Sequence, residues 1–464
     1  MTSRNSRRVI DAFGPADADL PWSEAILAGD WLFAGAQLAS DGIHGLDPAA
    51  RPDARSPWTQ SPLGLESALV LERVLRILSA AGGDARQDLL RVWQWIRARY
   101  PDDDLYRGFD QGWPSLPDGS PYARNFARTI GDRLRASTGI GVRQLPVPDA
   151  MLSVDFLAVP GRGRTKEEIA LPPEVPAPKA GYAPAVRYGD WVFLSGFGAT
   201  DFVGDWMSDR HMGEPSMLAP EARVNPYIWL GSPIEAQTRY TLEKLALIAE
   251  AAGSSLDRCV KADVTLSHPA DYPALDAVWR EFFPQNPPAR NVVTGTQLVI
   301  KGVRVEIALV LLADDSESTL ECVQVEGPSA ALGHASEAVR AGDLLFTSTL
   351  LPIDEHGVVP QDIRASRSAP YHRDTAAQQT DAIIGRLSAL CDAAGTDLSQ
   401  VCRVQTVLSD LTHLPAMSRS WRDAFPTEPP TLSAVGTGGP DPLLLPGAVV
   451  QWDAIAYAPQ GAHR

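Results

Sequence analysis

Gly189-Asp190-Trp191-Val192-Phe193 decides the fold, because the chain repeats it as Gly29-Asp30-Trp31-Leu32-Phe33 and as Gly342-Asp343-Leu344-Leu345-Phe346. Each stretch follows an Ala-Ile or Ala-Val step, in Ser23-Glu24-Ala25-Ile26, Ala183-Pro184-Ala185-Val186 and Ser336-Glu337-Ala338-Val339. Counted from Gly29 to Gly189 and from Gly189 to Gly342, the offsets are 160 and 153 residues. That is far longer than a solenoid unit, so these are repeated domains. The 464 residues exceed what one core holds and suit three ordinary domains.

The same order of elements recurs after each motif. A short β-rich run leads into a variable loop and then an amphipathic helix. In the third copy Ile383, Ile384, Leu387, Leu390 and Cys391 recur at helical spacing. Ala80-Ala81-Gly82, Ala251-Ala252-Gly253 and Ala393-Ala394-Gly395 end these helices, since glycine past a helix end takes the left-handed conformation that closes it. A strand follows (260–266, 402–408), then a second helix. Between copies two and three an unbroken offset joins Gln237/Gln379, Pro273/Pro415, Trp279/Trp421, Arg280/Arg422 and Phe283/Phe425. The closing strands are expected at 152–159, 304–312 and 449–457. Pro- and Gly-rich linkers at 160–178 and an acidic one at 313–318 divide the chain into 1–160, 161–313 and 314–464. The fold class is α+β: in each copy one sheet carries two helices on one face. Three copies bury the other face by closing around a pseudo-threefold axis, with clefts between neighbours.

A net charge of −16 argues against nucleic acid or an anionic membrane as the main partner, because both require a basic face. Cys259, Cys322, Cys391 and Cys402 form no CxxC pair and no metal spacing, which suits a reducing compartment. No apolar run is long enough to span a bilayer and no apolar segment follows the N-terminal basic residues. These features read as a soluble, cytoplasmic protein without membrane attachment.

Copy two then resembles the RidA (YjgF-like) family of enamine/imine deaminases over nearly its whole length. The resemblance rests on Tyr182, Phe193-Leu194-Ser195-Gly196, Glu235-Ala236-Gln237, Pro287-Pro288-Ala289-Arg290 and Val305-Glu306-Ile307. It implies a chorismate-mutase-like fold and a homotrimer fused into one polypeptide, here as a monomer or a dimer of pseudo-trimers. It also implies that Arg290 holds a carboxylate of a small substrate, that Ser195, Gly196 and Tyr182 line the pocket, and that Glu306 places the water attacking an imine carbon. An arginine fork pairs two N–H groups with two carboxylate oxygens, and a carboxylate of suitable pKa orients or deprotonates water. No metal or organic cofactor is required.

Copy three has Leu432, Thr349, Ala335 and Gln451 where copy two has Arg290, Gly196, Tyr182 and Glu306, and it reads as a structural copy. In copy one Gly35 and Ala36 stand against Ser195 and Gly196, and Asp155 is read at the Glu306 position. Arg135, which opens Arg135-Ala136-Ser137-Thr138-Gly139-Ile140-Gly141, is either an anchor or a helix-end arginine. The sharpest expectation is one cleft holding both Arg290 and Glu306. Insertions at 104–134 and 206–229 carry Phe109, Trp113, Tyr122, His211, Tyr227 and Trp229, which either cap a cleft or pack edges; His211 and His372 are candidate proton carriers. Two other functions fit this fold: a chorismatase-like hydrolase or lyase acting on a cyclic carboxylic acid, and a non-catalytic metabolite-binding scaffold. Three diverged copies suggest specialisation toward a secondary-metabolic role.

Overall fold

A computed structural model describes residues 6–14, 20–57, 60–97, 121–131, 135–161, 166–178, 181–203, 217–225, 227–298, 300–326, 331–365, 374–438 and 443–459. His211, His372, Phe109 and Trp113, and the Tyr122 side chain, lie outside what is described. Copy one contains β1 (Arg7–Val9), β2 (Ala25–Ala28), β3 (Trp31–Gln37), α1 (Pro62–Ala80), β4 (Leu89–Arg97), α2 (Pro121–Thr129), β5 (Ala136–Val142) and β6 (Leu152–Ala158). Copy two contains β7 (Lys166–Glu168), β8 (Ala185–Tyr188), β9 (Trp191–Leu194), β10 (Phe197–Gly198), α3 (Pro233–Ala251), β11 (Cys259–Leu266), α4 (Tyr272–Phe282), β12 (Ala289–Val293) and β13 (Val305–Leu312). Copy three contains β14 (Leu320–Val323), β15 (Ala338–Ala341), β16 (Leu344–Thr347), α5 (Thr375–Ala393), β17 (Val401–Leu408), α6 (Leu414–Ala424), β18 (Thr431–Gly436) and β19 (Val450–Tyr457).

The three sheets share one order: β1-β2-β3-β6-β4-β5, then β7-β8-β9-β13-β11-β12, then β14-β15-β16-β19-β17-β18, with β10 added on β13. Local chemistry explains the repetition. Gly29, Gly189 and Gly342 turn the first hairpins at φ near +57, +57 and +55°, a conformation glycine adopts without steric cost. Ser61, Ser232 and Asp374 cap the long helices by accepting from Gly64, Glu235 and Ala377 N–H. Gly82, Gly253 and Gly395 stop them at φ +80, +70 and +74°, as the Ala-Ala-Gly pattern predicts.

Copies two and three each bury a helix–sheet core of their own, while the core of copy one runs on into an axial plug built from all three. There the opening motifs meet: Trp31 packs edge-on to Trp191 at 5.3 Å, and Trp191 lies 6.0 Å from Phe346. The ring closes by backbone pairing. Ala183 N–H donates to Arg135 O, Ala289 bridges Ser336, and Thr431 bridges Ser23, so each copy's parallel edge strand docks on the first hairpin of the next.

A charged layer also lies on the inner face. Strand register makes Arg91, Lys261 and Arg403 equivalent, and each reaches into the following copy. Arg91 pairs with Asp263 at 2.8 Å, Arg403 with Asp155 at 2.6 Å, and Lys261 with Asp453. Arg91 and Arg403 also lie over the Trp93 ring, at 4.6 and 4.3 Å. Ions this deep would be costly alone, and are tolerated because each has a carboxylate partner.

Candidate active site between the first and second copies

The interfaces are built alike, so their residues can be matched position by position. On β12, Arg290 N–H donates to Ser348 Oγ at 2.7 Å, and Thr349 N–H donates to Arg290 O. On β5, Ser137 N–H donates to Ser195 Oγ at 2.8 Å, and Gly196 N–H donates to Ser137 O. Ser137 and Arg290 are therefore equivalent, and the β17–β18 register adds Leu432. Along the closing strands, Glu306 pairs with Thr265, Gln451 with Val407 and Ser153 with Trp95, which makes Ser153, Glu306 and Gln451 equivalent.

This arrangement corrects the sequence-based expectation of one cleft. Glu306 stands with Ser195, Gly196 and Tyr182 in the cleft between copies one and two. Arg290 stands in the cleft between copies two and three, opposite Ser348 and Thr349. The reason is geometric: an edge strand faces the next copy, whereas the closing strand lies in the sheet's middle and serves the cleft on its other side. Each cleft thus combines the β5/β12/β18 position of one copy with the β6/β13/β19 position of the following one.

Two further assignments change. Asp155 is not at the Glu306 position; it pairs with Trp93, level with Ala308 and Asp453, and its carboxylate binds Arg403 and Trp95 Nε1 on the axis. Ser153 holds the Glu306 position, two residues before Asp155 on the same strand. Arg135 lies one residue before β5, so Pro288 and not Arg290 is its counterpart. Its Nη1 donates to Gly131 O and Gly181 O, which puts it at the rim of the first cleft beside Tyr182.

Arg290 is a buried, ion-paired residue. Its Nη2 donates to Asp276 Oδ1 at 2.5 Å and to Tyr272 Oη at 2.6 Å, and its guanidinium lies 5.0 Å from the Trp279 ring centre. Its side chain is 1% exposed. Its Nη1 is buried and has no hydrogen-bond partner among the described residues, so a carboxylate reaching that nitrogen would not have to displace Asp276 from Nη2.

Glu306 differs in kind. It is half-buried, and its carboxyl makes no hydrogen bond or ion pair with a described residue. A Cβ at Gly196 would lie 2.1 Å from Glu306 Oε1, so a larger residue there would push the carboxyl aside. Burial pushes Glu306 up to about 7, against a smaller opposing pull from Arg91. Burial, and then the field of Glu306, raise the Tyr182 phenol well above its usual range. The first cleft therefore contains an unpartnered carboxyl that exchanges a proton near neutral pH, beside a phenol that stays protonated. Ser195 is committed to structure: its hydroxyl donates to Ala183 O and accepts from Ser137 N–H. Tyr227 and Trp229, 82% and 105% exposed, point into solvent and cap no cleft. Among the described residues no cluster of His, Cys, Asp or Glu could hold a metal ion, and no helix is long and apolar enough to cross a membrane. The axial cations escaped sequence reasoning, although a basic residue recurs near the start of each strand after the long helix.

The family described as Endoribonuclease L-PSP matches residues 222–312 and 327–457. The 3-aminoacrylate deaminase RutC of Acinetobacter baylyi is 33% identical over 144 residues, 31% of this chain and 96% of that protein. The 2-iminobutanoate/2-iminopropanoate deaminase of Dermatophagoides farinae is 26% identical over 142 residues, 31% of this chain and 93% of that one. Among solved structures, RidA from the Antarctic bacterium Psychrobacter sp. is 24% identical, with a TM-score of 0.23 over 30% of this chain and 98% of that one. A chorismatase is 10% identical, with a TM-score of 0.47 over 81% and 94%. Fold and relatives together define the class: the chain belongs to the RidA (YjgF-like) family, and it carries three tandem copies of that fold in one polypeptide.

Proposed function

We propose that the chain is an imine or enamine hydrolase whose acid–base group is Glu306, working in the cleft between copies one and two. The observation that carries this reading is the Glu306 carboxyl, unpartnered among the described residues and titrating near 7, set against Gly196 and Tyr182. Relatives named as deaminases of 3-aminoacrylate and of 2-iminobutanoate and 2-iminopropanoate support it. An enamine first tautomerises to an imine. Ionised Glu306 takes a proton from water as the oxygen attacks the carbon of the protonated imine, giving a carbinolamine. Protonated Glu306 then returns the proton to nitrogen, and its carboxylate takes the carbinol O–H proton as the C–N bond breaks, so that a carbonyl compound and ammonia leave. Tyr182, protonated throughout, donates a hydrogen bond to the oxygen that develops charge.

The test is ammonia release from imines generated in the assay, with wild type and Glu306→Gln compared at pH 7. The reading expects acceleration by wild type and a loss of about 100-fold or more in the variant. No acceleration by wild type, or equal rates in the two, would sink it.

A further inference from the structure

The first cleft lacks a cation where the second has one, and this bears on what it can bind. Ser137 takes the backbone hydrogen bonds that Arg290 takes in copy two. Its hydroxyl is engaged by Gln94 Nε2 at 2.7 Å. The adjacent Thr138 matches Asn291, whose amide oxygen accepts from Thr349 Oγ1 at 3.3 Å. Because Gly196 replaces Thr349, the Thr138 hydroxyl has no such partner; it is buried, at 4% exposure, and unbonded among the described residues. Gly139 follows where copy two has Val292, removing a branched side chain from the face of β5 that carries Ser137.

Two guanidinium groups border this cleft, each tied to fixed acceptors through one nitrogen, while Arg91 Nε and Nη1 are unbonded among the described residues. Arg135 Nη1 donates to two main-chain carbonyls. Arg91 is paired with Asp263 and is 1% exposed, two side-chain layers along β4 from Trp95, the residue level with Glu306. At the β5 positions that match Arg290 and Asn291 the side chains, Ser137 and Thr138, are neutral, and the acid across from them, once ionised, repels a carboxylate.

We infer that the cleft between copies one and two selects imines whose reacting carbon bears a neutral acyl or alkyl substituent, with Thr138 donating to an acyl oxygen and Ser137 as the residue that excludes carboxylates. This rests on the hydrolase reading above. A site built around a neutral hydroxyl offers an ester or amide carbonyl a hydrogen bond, whereas a carboxylate there is desolvated without a cation.

The experiment compares kcat/KM for 2-iminopropanoate and its methyl ester, each generated by N-chlorination and elimination of alanine or alanine methyl ester. Wild type, Ser137→Arg and Arg290→Gln are measured. Wild type should favour the ester by about tenfold or more, and Arg290→Gln should keep that ratio wherever it folds. Ser137→Arg should shift the ratio toward the carboxylate by about tenfold or more, because a guanidinium then faces it. Should Ser137→Arg not fold, the wild-type ratio decides alone. A wild type that favours the carboxylate, or a preference abolished by Arg290→Gln, overturns the inference while leaving the hydrolase reading intact. Turnover of neither substrate by wild type overturns both.

Discussion

The clefts on either side of copy two are made from equivalent strands joined by equivalent hydrogen bonds, yet they divide between them what a single RidA-like site would hold together. The first keeps Glu306, Gly196 and Tyr182 but has Ser137 at the anchor position. The second keeps Arg290 but has Thr349, Gln451 and Ala335 opposite it. In a homotrimer one sequence serves both sides of every interface, so anchor and acid always meet. Fusion removes that constraint, because each side of each interface can then change alone. Arg290 has settled into an ion pair with Asp276, and Glu306 has been left with a cleft that lacks a carboxylate clamp.

The widest separation of the two clefts should come from Glu306→Gln, which lowers kcat about 100-fold or more while the unfolding midpoint stays close to wild type. Arg290→Ala should do the reverse. Asp276 then keeps Arg280 and the His334 N–H as partners, so the loss should be about 1.5–3 kcal/mol in urea unfolding, with kcat of the folded fraction unchanged. A large loss of kcat from Arg290→Ala would mean that the second cleft does the chemistry.

Gly196→Ala tests the contact that distinguishes the acid-bearing cleft. Its new methyl falls 2.1 Å from Glu306 Oε1, so the carboxyl must move, and kcat/KM should drop about tenfold or more as catalytic geometry is lost. Thr349→Ala, at the equivalent place in the second cleft, should leave turnover unaltered.

The smallest effect concerns Glu66, which is buried where copies two and three carry Gln237 and Gln379. Glu66 Oε2 accepts from Met151 and Leu152 N–H, whereas each glutamine accepts from one loop N–H and donates its amide to loop carbonyls, Gln237 to one and Gln379 to two. Burial raises both Glu66 and Glu306 to about 7. For an acid with a raised folded pKa, the folded state holds more protons than the unfolded chain between about 4.3 and 7. The stabilising contribution is therefore complete below that window and is lost as pH rises through it. Glu66→Gln should flatten this slope and stabilise the protein at pH 8 by about 1 kcal/mol in urea unfolding, with kcat unaffected.

Much of the fold was legible in the sequence, because hairpin glycines, helix caps and Ala-Ala-Gly stops act locally. The three repeats and the strands at 259–266, 305–312 and 450–457 follow from such signals within a residue or so. Tyr182, Ser195, Gly196 and Glu306 were likewise read as neighbours, since one copy supplies them all. What the sequence did not reveal was pairing across copies. No local pattern says that an edge strand and a closing strand of the same copy face different clefts, so Arg290 and Glu306 were joined wrongly. Asp155 was misplaced because side chains alternate faces along a strand: a two-residue error keeps the face and changes only the level, leaving no clash of polarity to expose it. The axial layer was missed because its ion pairs join residues more than 170 positions apart.

The most direct test of where the chemistry resides is a crystal structure soaked with the carbonyl product of a turned-over imine. The ligand is predicted in the cleft between copies one and two, within hydrogen-bonding distance of Glu306 and Thr138, with the Arg290–Asp276 pair intact. A ligand held by Arg290, with the first cleft empty, would contradict the account.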